Sequence, residues 1–449
     1  MTDTIVGLAT APGEGGIAIV RVSGDEAVHI LEQAFQPAGA QPPFENRRMM
    51  YGHITDGEKI IDEVMAVVMY APGSYTRENV CEIHTHGGST AAALVIKRLI
   101  SLGARPAEPG EFTRRAFMNG RIDLAQAEAV MGVISARSEA ALRAQERQLA
   151  GGQSRFVREL QQELLRLLAG LEAHIDYPDE IDEEEAISGL LSGLESLCGK
   201  LRGAIDVRGA RIIREGLHVA LCGLPNAGKS TLFNALLGED RAIVTDIPGT
   251  TRDVLEGSFP LNGINVYLKD TAGLRNSTDT VEQLGVERAR AELRRSDVAL
   301  ELVDASLPMS DEVRAFLSEP IPCERVLLLT KADCPMKITP EEARVLAPDA
   351  AILPISAKTE AGLPSLRDKL KEYLNLRGDC LLLHERHMQL ASEALRNLEN
   401  VRSSLQRGEL LDLAAVEMHE ALYLLGRITG ENVDEQLLDD IFSRFCVGK

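Results

Sequence analysis

The stretch Gly223-Leu-Pro-Asn-Ala-Gly-Lys-Ser230 is a complete phosphate-binding loop near the middle of a chain of 449 residues. It follows the mostly apolar run 217–222 and precedes residues 231–236, which have helical spacing. In a strand–loop–helix context the glycines let backbone N–H groups converge on phosphate oxygens, and the helix N-terminus adds partial positive charge. We expect Lys229 to reach the outer phosphates and the Ser230 hydroxyl to ligate Mg²⁺. The stretch therefore predicts a nucleotide-binding α/β domain.

The totals describe a globular protein with several domains. A chain of this length exceeds what one core serves, so about three domains are expected. Its 45% hydrophobic and 26% charged residues are typical of soluble proteins. The net charge of −20 argues against a broadly basic surface that coats nucleic acid. A nucleic-acid partner would therefore bind through a local basic patch or through a second protein.

The sequence also predicts a cytoplasmic protein with no membrane partner. No apolar run approaches the roughly 18 residues of a membrane span, and the first residues lack the basic start of a signal peptide. The seven cysteines are scattered and odd in number, as expected for reduced thiols.

The hydrophobic pattern divides the chain into four parts. Residues 1–118 mix strand-like runs with one helical run, which indicates an α+β domain. Residues 119–212 are helical, and residues 378–449 become helical again. Residues 213–377 alternate strands with helices, which is typical of a doubly wound, mainly parallel sheet of the Ras-like P-loop type. The economical interpretation is one helical domain made from both flanks, with the nucleotide domain inserted between them.

Further signals follow the phosphate loop and predict that the nucleotide is GTP. Asp333 ends a strand, where a carboxylate can accept both hydrogen bonds from the N1 and N2 edge of guanine, and Ser356-Ala-Lys358 would contact guanine O6. Adenine offers no such donor pair. Thr330 stands where such loops usually have asparagine, which removes a buttressing amide. The residues expected at the GTP site are Asn226, Ala227, Gly228, Lys229, Ser230, Thr231, Thr245, Gly249, Thr250, Thr251, Asp270, Thr271, Ala272, Gly273, Thr330, Lys331, Asp333, Ser356, Ala357 and Lys358.

The residue that would orient the attacking water is less obvious. Ras-type GTPases use a glutamine just after the Asp-Thr-Ala-Gly element, but Leu274 occupies that position and cannot do so. Glu282 is the nearby candidate, with Asp279 and Glu287 as rivals. A solvated carboxylate that opens a helix explains Glu282 about as well on spacing alone.

Transition-state charge needs a cation as well as Mg²⁺. The side-chain oxygen of Asn226 could ligate a monovalent ion beside the phosphates, and residues 245–250 could contribute backbone carbonyls. A K⁺ ion there would act as an arginine finger does elsewhere. Arg252 and Arg275 are alternatives for that role.

Short segments spread along the whole chain form one combined pattern. They are Gly15–Gly24, Pro109–Phe117, Arg121–Ala129, the phosphate loop with Asn226, Asp246–Asp253 and Phe445–Lys449. On these segments the chain resembles, along essentially its whole length, the MnmE (TrmE) family of tRNA-modifying GTPases. Other GTPases share only the middle portion of the resemblance.

The resemblance implies a specific reaction and specific partners. With an FAD-dependent partner, MnmG (GidA), in a heterotetramer, the family adds an aminomethyl or carboxymethylaminomethyl group to C5 of the wobble uridine, position 34, of certain tRNAs. Residues 1–118 would bind 5-formyl- or methylene-tetrahydrofolate and form a homodimer. The G domains would pair across that dimer in a K⁺-dependent manner during GTP hydrolysis.

The resemblance also assigns residues. It implies K⁺ at Asn226, Thr245, Ile247 and Thr250, and Mg²⁺ at Ser230 and Thr251. It favours Glu282 as the water-orienting residue. The folate positions would be Arg21, Glu82, Arg121 and Lys449, with arginine at 121 where some relatives have lysine. Cys446 would be an accessible thiol of low pKa that serves the modification as a nucleophile or by positioning substrate.

Two alternatives stay open. One is a binding switch, such as a ribosome-assembly GTPase whose flanks only recruit partners. The other is a folate-dependent aminomethyl transferase with a regulatory G domain. Arg21, Glu82 and the Cys446 tail favour folate chemistry over the plain switch.

Overall fold

The computed structural model describes residues 3–39, 43–177, 182–238, 256–270, 291–374, 382–408 and 411–449. By its internal contacts the chain divides into two compact units. The first contains Met1–Ile134, Arg147–Gly199 and Leu390–Lys449, and the second contains Ser135–Glu146 and Lys200–Gln389. The domain boundaries expected from the sequence, at residues 118, 212 and 377, differ from the limits of these two units and stay a prediction.

The first unit contains a seven-stranded sheet with the strand order β3-β4-β5-β6-β2-β1-β7. Its strands are β1 (Ile5–Leu8), β2 (Ile17–Ser23), β3 (Phe35–Pro37), β4 (Met50–Asp56), β5 (Lys59–Met69), β6 (Val80–His86) and β7 (Arg105–Pro106). Its helices are α1 (Ala27–Ala34), α2 (Ser89–Ser101) and α3 (Glu111–Met118). All pairings except β1 with β7 are antiparallel.

The two faces of this sheet differ, because side chains alternate along each strand. Val20 and Val22 of β2 and Ile83 of β6 are fully buried in one core with α1 and α2, whereas Arg21 and Glu82 lie between them on the opposite face. Because side chains alternate across a strand, the pairing of Arg21 with Glu82 in register puts both on the same face. The sheet therefore presents a charged pair on the face that the core does not occupy.

A helical layer completes the first unit from two distant chain segments. The helices are α4 (Leu124–Ser135), α5 (Glu139–Leu149), α6 (Gly152–Asp176), α7 (Glu183–Ala204), α13 (Glu385–Gln406), α14 (Leu411–Thr429) and α15 (Glu435–Ser443). Most of α5, and one end each of α4, α7 and α13, belong to the second unit. The leucines of α6 recur at three- and four-residue steps and form one apolar stripe: Leu160, Leu164, Leu167, Leu168 and Leu171. Helix α6 packs against α14, and Leu160 and Leu164 are at most 1% exposed. Burying one such leucine contributes roughly 1.5–3 kcal/mol. The expected joining of the two helical flanks is confirmed.

The second unit contains a six-stranded sheet with the order β13-β12-β11-β8-β10-β9. Its strands are β8 (Leu217–Gly223), β9 (Glu256–Leu261), β10 (Ile264–Asp270), β11 (Val298–Asp304), β12 (Glu324–Thr330) and β13 (Ala351–Pro354). Its helices are α8 (Val207–Glu215), α9 (Lys229–Leu237), α10 (Asp311–Ser318), α11 (Pro340–Leu346) and α12 (Leu363–Tyr373). The strands are parallel except at the edge, where β9 is antiparallel to β10.

The turn between β9 and β10 also holds the start of α5. Asn262 and Gly263 have φ values of 51° and 75°, as a two-residue hairpin turn of the Asn-Gly type requires. The Gly263 carbonyl accepts a hydrogen bond from the Ala140 N–H at 2.9 Å, and the Asn265 side chain donates to the Arg137 carbonyl at 2.8 Å. Since the first N–H groups of a helix have no partner within the helix, the hairpin turn caps α5.

The predicted fold class is confirmed: an α+β part, a helical domain from two chain segments and an inserted doubly wound P-loop domain. Among the described residues, no helix combines the length and apolar character needed to cross a membrane.

Candidate functional site

The phosphate-binding loop connects β8 to α9, as predicted. Asn226 adopts the left-handed conformation, with a φ of 62°, and its side chain is exposed. Lys229 begins α9 and is 8% exposed, and its Nζ donates to the carbonyls of Gly223 and Leu224, both at 2.8 Å. Ser230 and Thr231 follow in the first turn, both exposed. The ammonium group is therefore held over its own loop, beside the helix N-terminus that attracts anions.

Thr330 joins the phosphate loop to the loop after β12. Its side chain is 4% exposed, and its hydroxyl lies 2.8 Å from the Ala227 carbonyl oxygen and 3.1 Å from that of Val303. The buttressing amide expected at this position is absent, but the hydroxyl makes a direct bond to the phosphate loop in its place. The sequence alone did not indicate this link, because positions 227 and 330 are far apart along the chain.

Asp333 and Ser356 meet in the structure, as expected for a guanine-reading pair. The Ser356 hydroxyl lies 2.7 Å from Asp333 Oδ1, and the Ala332 N–H donates to the Ile355 carbonyl at 3.0 Å. The hydrogen bond from Ser356 lowers the pKa of the Asp333 carboxyl, so this carboxyl is an acceptor at neutral pH. Lys331 turns to Asp304 instead, with its Nζ 2.5 Å from Oδ2.

The other predicted nucleotide residues divide into two groups. Asp270 ends β10, next to β8, and is 4% exposed, while Ala357 and Lys358 follow Ser356 in the same loop. The remaining predicted positions lie outside the described residues: Thr245, Ile247, Gly249, Thr250, Thr251, Thr271, Ala272, Gly273 and Glu282.

A second cluster in the first unit unites the predicted folate residues. Arg21 Nε and Nη2 lie 2.9 and 2.8 Å from Glu82 Oε1, and Glu82 Oε2 is 4.0 Å from His84 Nε2. Arg121 donates to the Tyr75 carbonyl at 2.9 Å. The guanidinium carbons of Arg21 and Arg121 lie 5.4 and 4.6 Å from the centroid of the Tyr75 ring. The ring therefore links the two cations.

The tail at residues 446–449 docks on the same cluster. Arg21 Nη1 donates to the Gly448 carbonyl at 3.3 Å, and the Gly110 N–H donates to the Cys446 carbonyl at 3.4 Å. Gly448 has a φ of 93°, and a Cβ there would lie 1.9 Å from the Leu8 carbonyl oxygen, so no other residue fits without movement. The Cys446 side chain is exposed. The backbone of the tail therefore lies against Arg21 at Gly448, which is two residues from Cys446 and next to Lys449.

Sequence reasoning missed Tyr75 and Phe112, whose rings lie 5.4 and 5.7 Å from the Arg21 guanidinium. Tyr75 occurs in a turn-like stretch without periodicity, so no local pattern identifies it. Only its position between the two arginines reveals its place in the cluster.

Comparison with known proteins identifies the family. The family model described as the MnmE helical domain matches residues 124–446, and that described as the GTP-binding protein TrmE N-terminus matches residues 4–121. The tRNA modification GTPase MnmE of Lactiplantibacillus plantarum is 39% identical over 460 residues, covering 100% of this chain and 98% of that protein. The protein of the same name from Streptococcus pyogenes serotype M12 is 42% identical over 463 residues, with the same coverage.

Among solved structures, the G domain of the T. maritima FeoB iron transporter is 29% identical, covers 35% of this chain and 98% of its own, and has a TM-score of 0.28. A similarity at that score has no bearing on the assignment. The full-length relatives and the two family models decide it, and the chain belongs to the MnmE family of tRNA modification GTPases.

Proposed function

We propose that this chain hydrolyses GTP in the course of tRNA modification. As a member of the MnmE family it is a GTP-hydrolysing enzyme, and its relatives over the full length are named tRNA modification GTPases. The observation that carries the proposal is the bond from Thr330 to Ala227, because it joins the loop that would hold the phosphates to the loop that would hold guanine. GTP needs both loops at a fixed separation. The GTP-binding residues predicted from the sequence therefore stand as the proposed site.

The residues at this site suit Mg²⁺ and K⁺. Ser230 presents an exposed hydroxyl at the start of α9, and Asp270 ends the neighbouring strand, so the donors are the hard oxygens that Mg²⁺ prefers. When bound, the ions would neutralise charge that develops on the phosphates. Thr251 would complete the Mg²⁺ ligands, Glu282 would orient water, and Thr245, Ile247 and Thr250 would share K⁺ with Asn226.

Turnover measurements test the K⁺ assignment. GTP hydrolysis should be faster in K⁺ than in Na⁺, and Asn226→Ala should remove most of that difference while Asn234→Ala, an exposed asparagine later in α9, keeps it. Equal wild-type rates in the two salts would refute the K⁺ site without touching the GTPase assignment.

For the first unit we propose a tetrahydrofolate site at Arg21, Glu82, Arg121 and Lys449. Glu82 Oε1 is engaged by Arg21, whereas Oε2 lies 4.0 Å from His84 Nε2 and can accept a hydrogen bond from a pterin edge. Cationic side chains suit the carboxylates of the folate glutamate tail. Calorimetric titration with 5-formyl-tetrahydrofolate should show at least tenfold weaker binding by Arg121→Ala. Arg48→Ala, which loses only an exposed pair with Glu45, should bind normally.

We further propose that the chain forms a homodimer through its N-terminal sheet. Tyr51 of β4 and Met65 of β5 are direct neighbours in register and are 51% and 43% exposed, and Ile60 is 56% exposed. Such apolar side chains on a sheet face are typical of an interface. Met65→Glu should shift the sedimentation coefficient from dimer to monomer, and Val345→Glu, on an 81% exposed valine of α11, should not.

In the proposed reaction the cytoplasmic homodimer works with an FAD-dependent MnmG partner in a heterotetramer and modifies C5 of wobble uridine 34. Cys446 would act at the folate cluster, because Gly448, two residues further along the chain, accepts a hydrogen bond from Arg21. Mass spectrometry of tRNA from cells lacking the gene should show loss of the aminomethyl-type modification. Unmodified and modified uridine in wild-type proportion would instead favour the ribosome-assembly switch. A third outcome would favour a transferase with a regulatory G domain. In that case cells lacking the gene lose the modification, but a Lys229→Ala variant that cannot hydrolyse GTP restores it.

A further inference from the structure

The second unit contains a cavity of about 460 Å³ that the nucleotide site does not use. It is lined by the end of α8, the start of β8, the side of β10 and the segment that precedes α5. The side chains that matter are Arg137, Arg214, Glu215, His218, Tyr267 and Lys269. Its volume falls within the range of small-ligand sites, which is roughly 300–1,000 Å³.

The lining is cationic in a chain whose net charge is −20. Three cations face the cavity against one carboxylate, Glu215. Lys269 Nζ lies 3.2 Å from Glu292, and Arg214 donates to the Leu383 carbonyl at 2.9 Å, so both heads are held in place. Arg137 is exposed, and its guanidinium makes no hydrogen bond or ion pair within the described part of the chain. An anion entering the cavity therefore meets two fixed cations and one uncommitted one.

Aromatic rings accompany these charges. The rings of His218 and Tyr267 stack with their centroids 5.3 Å apart and an interplanar angle of 18°, and both line the cavity. A groove that combines cations with aromatic rings is the arrangement by which proteins hold single-stranded nucleic acid.

The cations extend beyond the cavity in a strip. Arg208 and Arg211 precede Arg214 on α8 at three-residue steps, which places them on one side of that helix. The carboxylate partner of Arg211 is deeper than Arg211 itself: the Asp297 side chain is only 4% exposed, whereas that of Arg211 is 34% exposed. A strip longer than one phosphate favours a polymer over a free anion. In an acidic chain, such a strip is where a polyanion would be held.

We propose that this cavity and its strip bind the phosphodiester backbone of the RNA substrate. The inference rests on the proposed function, which supplies tRNA as the substrate, and adds the surface that contacts it. The phosphate lies against Arg137, Arg214 and Lys269, and an adjoining nucleoside faces the His218–Tyr267 ring pair.

Arg137 provides a clean test, because the fold uses its carbonyl and not its side chain. We would titrate labelled tRNA transcript with the full chain at several salt concentrations. Arg137→Ala should weaken binding about three- to tenfold and reduce the slope of log K against log salt by about one. Arg137→Lys should keep the slope. Arg344→Ala, which removes an exposed arginine of α11, is the matched control and should bind as the wild type does.

Equal affinities for Arg137→Ala, Arg344→Ala and the wild type would overturn the inference and leave the proposed function intact. Binding of pyrophosphate that is lost in Arg137→Ala, with tRNA affinity unchanged, would also overturn it by showing a small-anion site. Failure of the proposed function has a different signature: wobble uridines stay modified in cells lacking the gene. Normal GTP turnover by Arg137→Ala would confirm that the loss of tRNA affinity is not caused by misfolding.

Discussion

Replacing Thr330 by valine removes one hydroxyl and almost no volume from the centre of the second unit. The Thr330 side chain is 4% exposed, and its hydroxyl is 2.8 Å from the Ala227 carbonyl. Leaving a buried carbonyl without its donor costs roughly 1–3 kcal/mol. A difference of 1.4 kcal/mol is about a factor of ten in affinity. If the substitution destabilises only the nucleotide-bound state, guanine nucleotide should therefore bind roughly 5- to 150-fold more weakly.

Titration with fluorescent GDP measures the loss of affinity. The melting temperature of the nucleotide-free protein measures any loss of stability that the substitution causes without nucleotide. Thr330→Ser keeps the hydroxyl and should bind within about threefold of the wild type, given that a single bond is worth about 1 kcal/mol. Thr330→Val with both wild-type affinity and a wild-type melting temperature would refute the argument that this bond couples the two loops.

Three further predictions concern other parts of the chain. Asp333→Asn should lower GTP affinity more than a hundredfold and raise that for xanthosine triphosphate, whose O2 can accept from the new amide; unchanged base preference would disprove guanine reading. Leu164→Ala should cost about 2–5 kcal/mol of unfolding free energy in denaturant titration, whereas Leu165→Ala, 47% exposed, should cost little; equal effects would contradict the stripe. Burial lowers the pKa of His218, so the unfolded state binds its proton first and stability falls as pH drops below about 6.5. The melting temperature of His218→Gln should fall less than that of the wild type between pH 8 and 6, and parallel curves would disprove this linkage.

Much of the fold could be predicted because its signals are local. The short apolar run at residues 298–304, typical of a buried parallel strand, and the helical spacing after the phosphate loop are each a signal within one element. The leucine stripe of α6 likewise indicated a buried face, and Leu164 is fully buried. The same local chemistry placed Asp333 beside Ser356, since both follow parallel strands whose carboxyl ends share one edge of the sheet.

Contacts between distant segments could not be predicted in this way. Tyr75 lies between Arg21 and Arg121, and Gly448 lies against Leu8, but no periodicity relates such positions. The resemblance to a family named two of these arginines without saying what holds them. The link from Thr330 to Ala227 could not be predicted for the same reason, because a hydroxyl replaces an amide only where the backbone approaches closely.

Because the hairpin turn of β9 and β10 caps α5, the stability of the first turn of α5 depends on the tilt of β10. From Gly263 to Asp270 the chain spans about 24 Å at 3.4 Å per residue, so a 5° rotation about the Asp270 end displaces the turn by about 2 Å. A hydrogen bond of 2.9 Å between Ala140 and Gly263 does not survive such a displacement. The first turn of α5 then loses a cap worth about 1 kcal/mol and frays. The hydrogen-exchange rate of the Ala140 amide therefore reports the tilt of β10, the strand next to β8 and its phosphate loop, without a fluorescent or spin label.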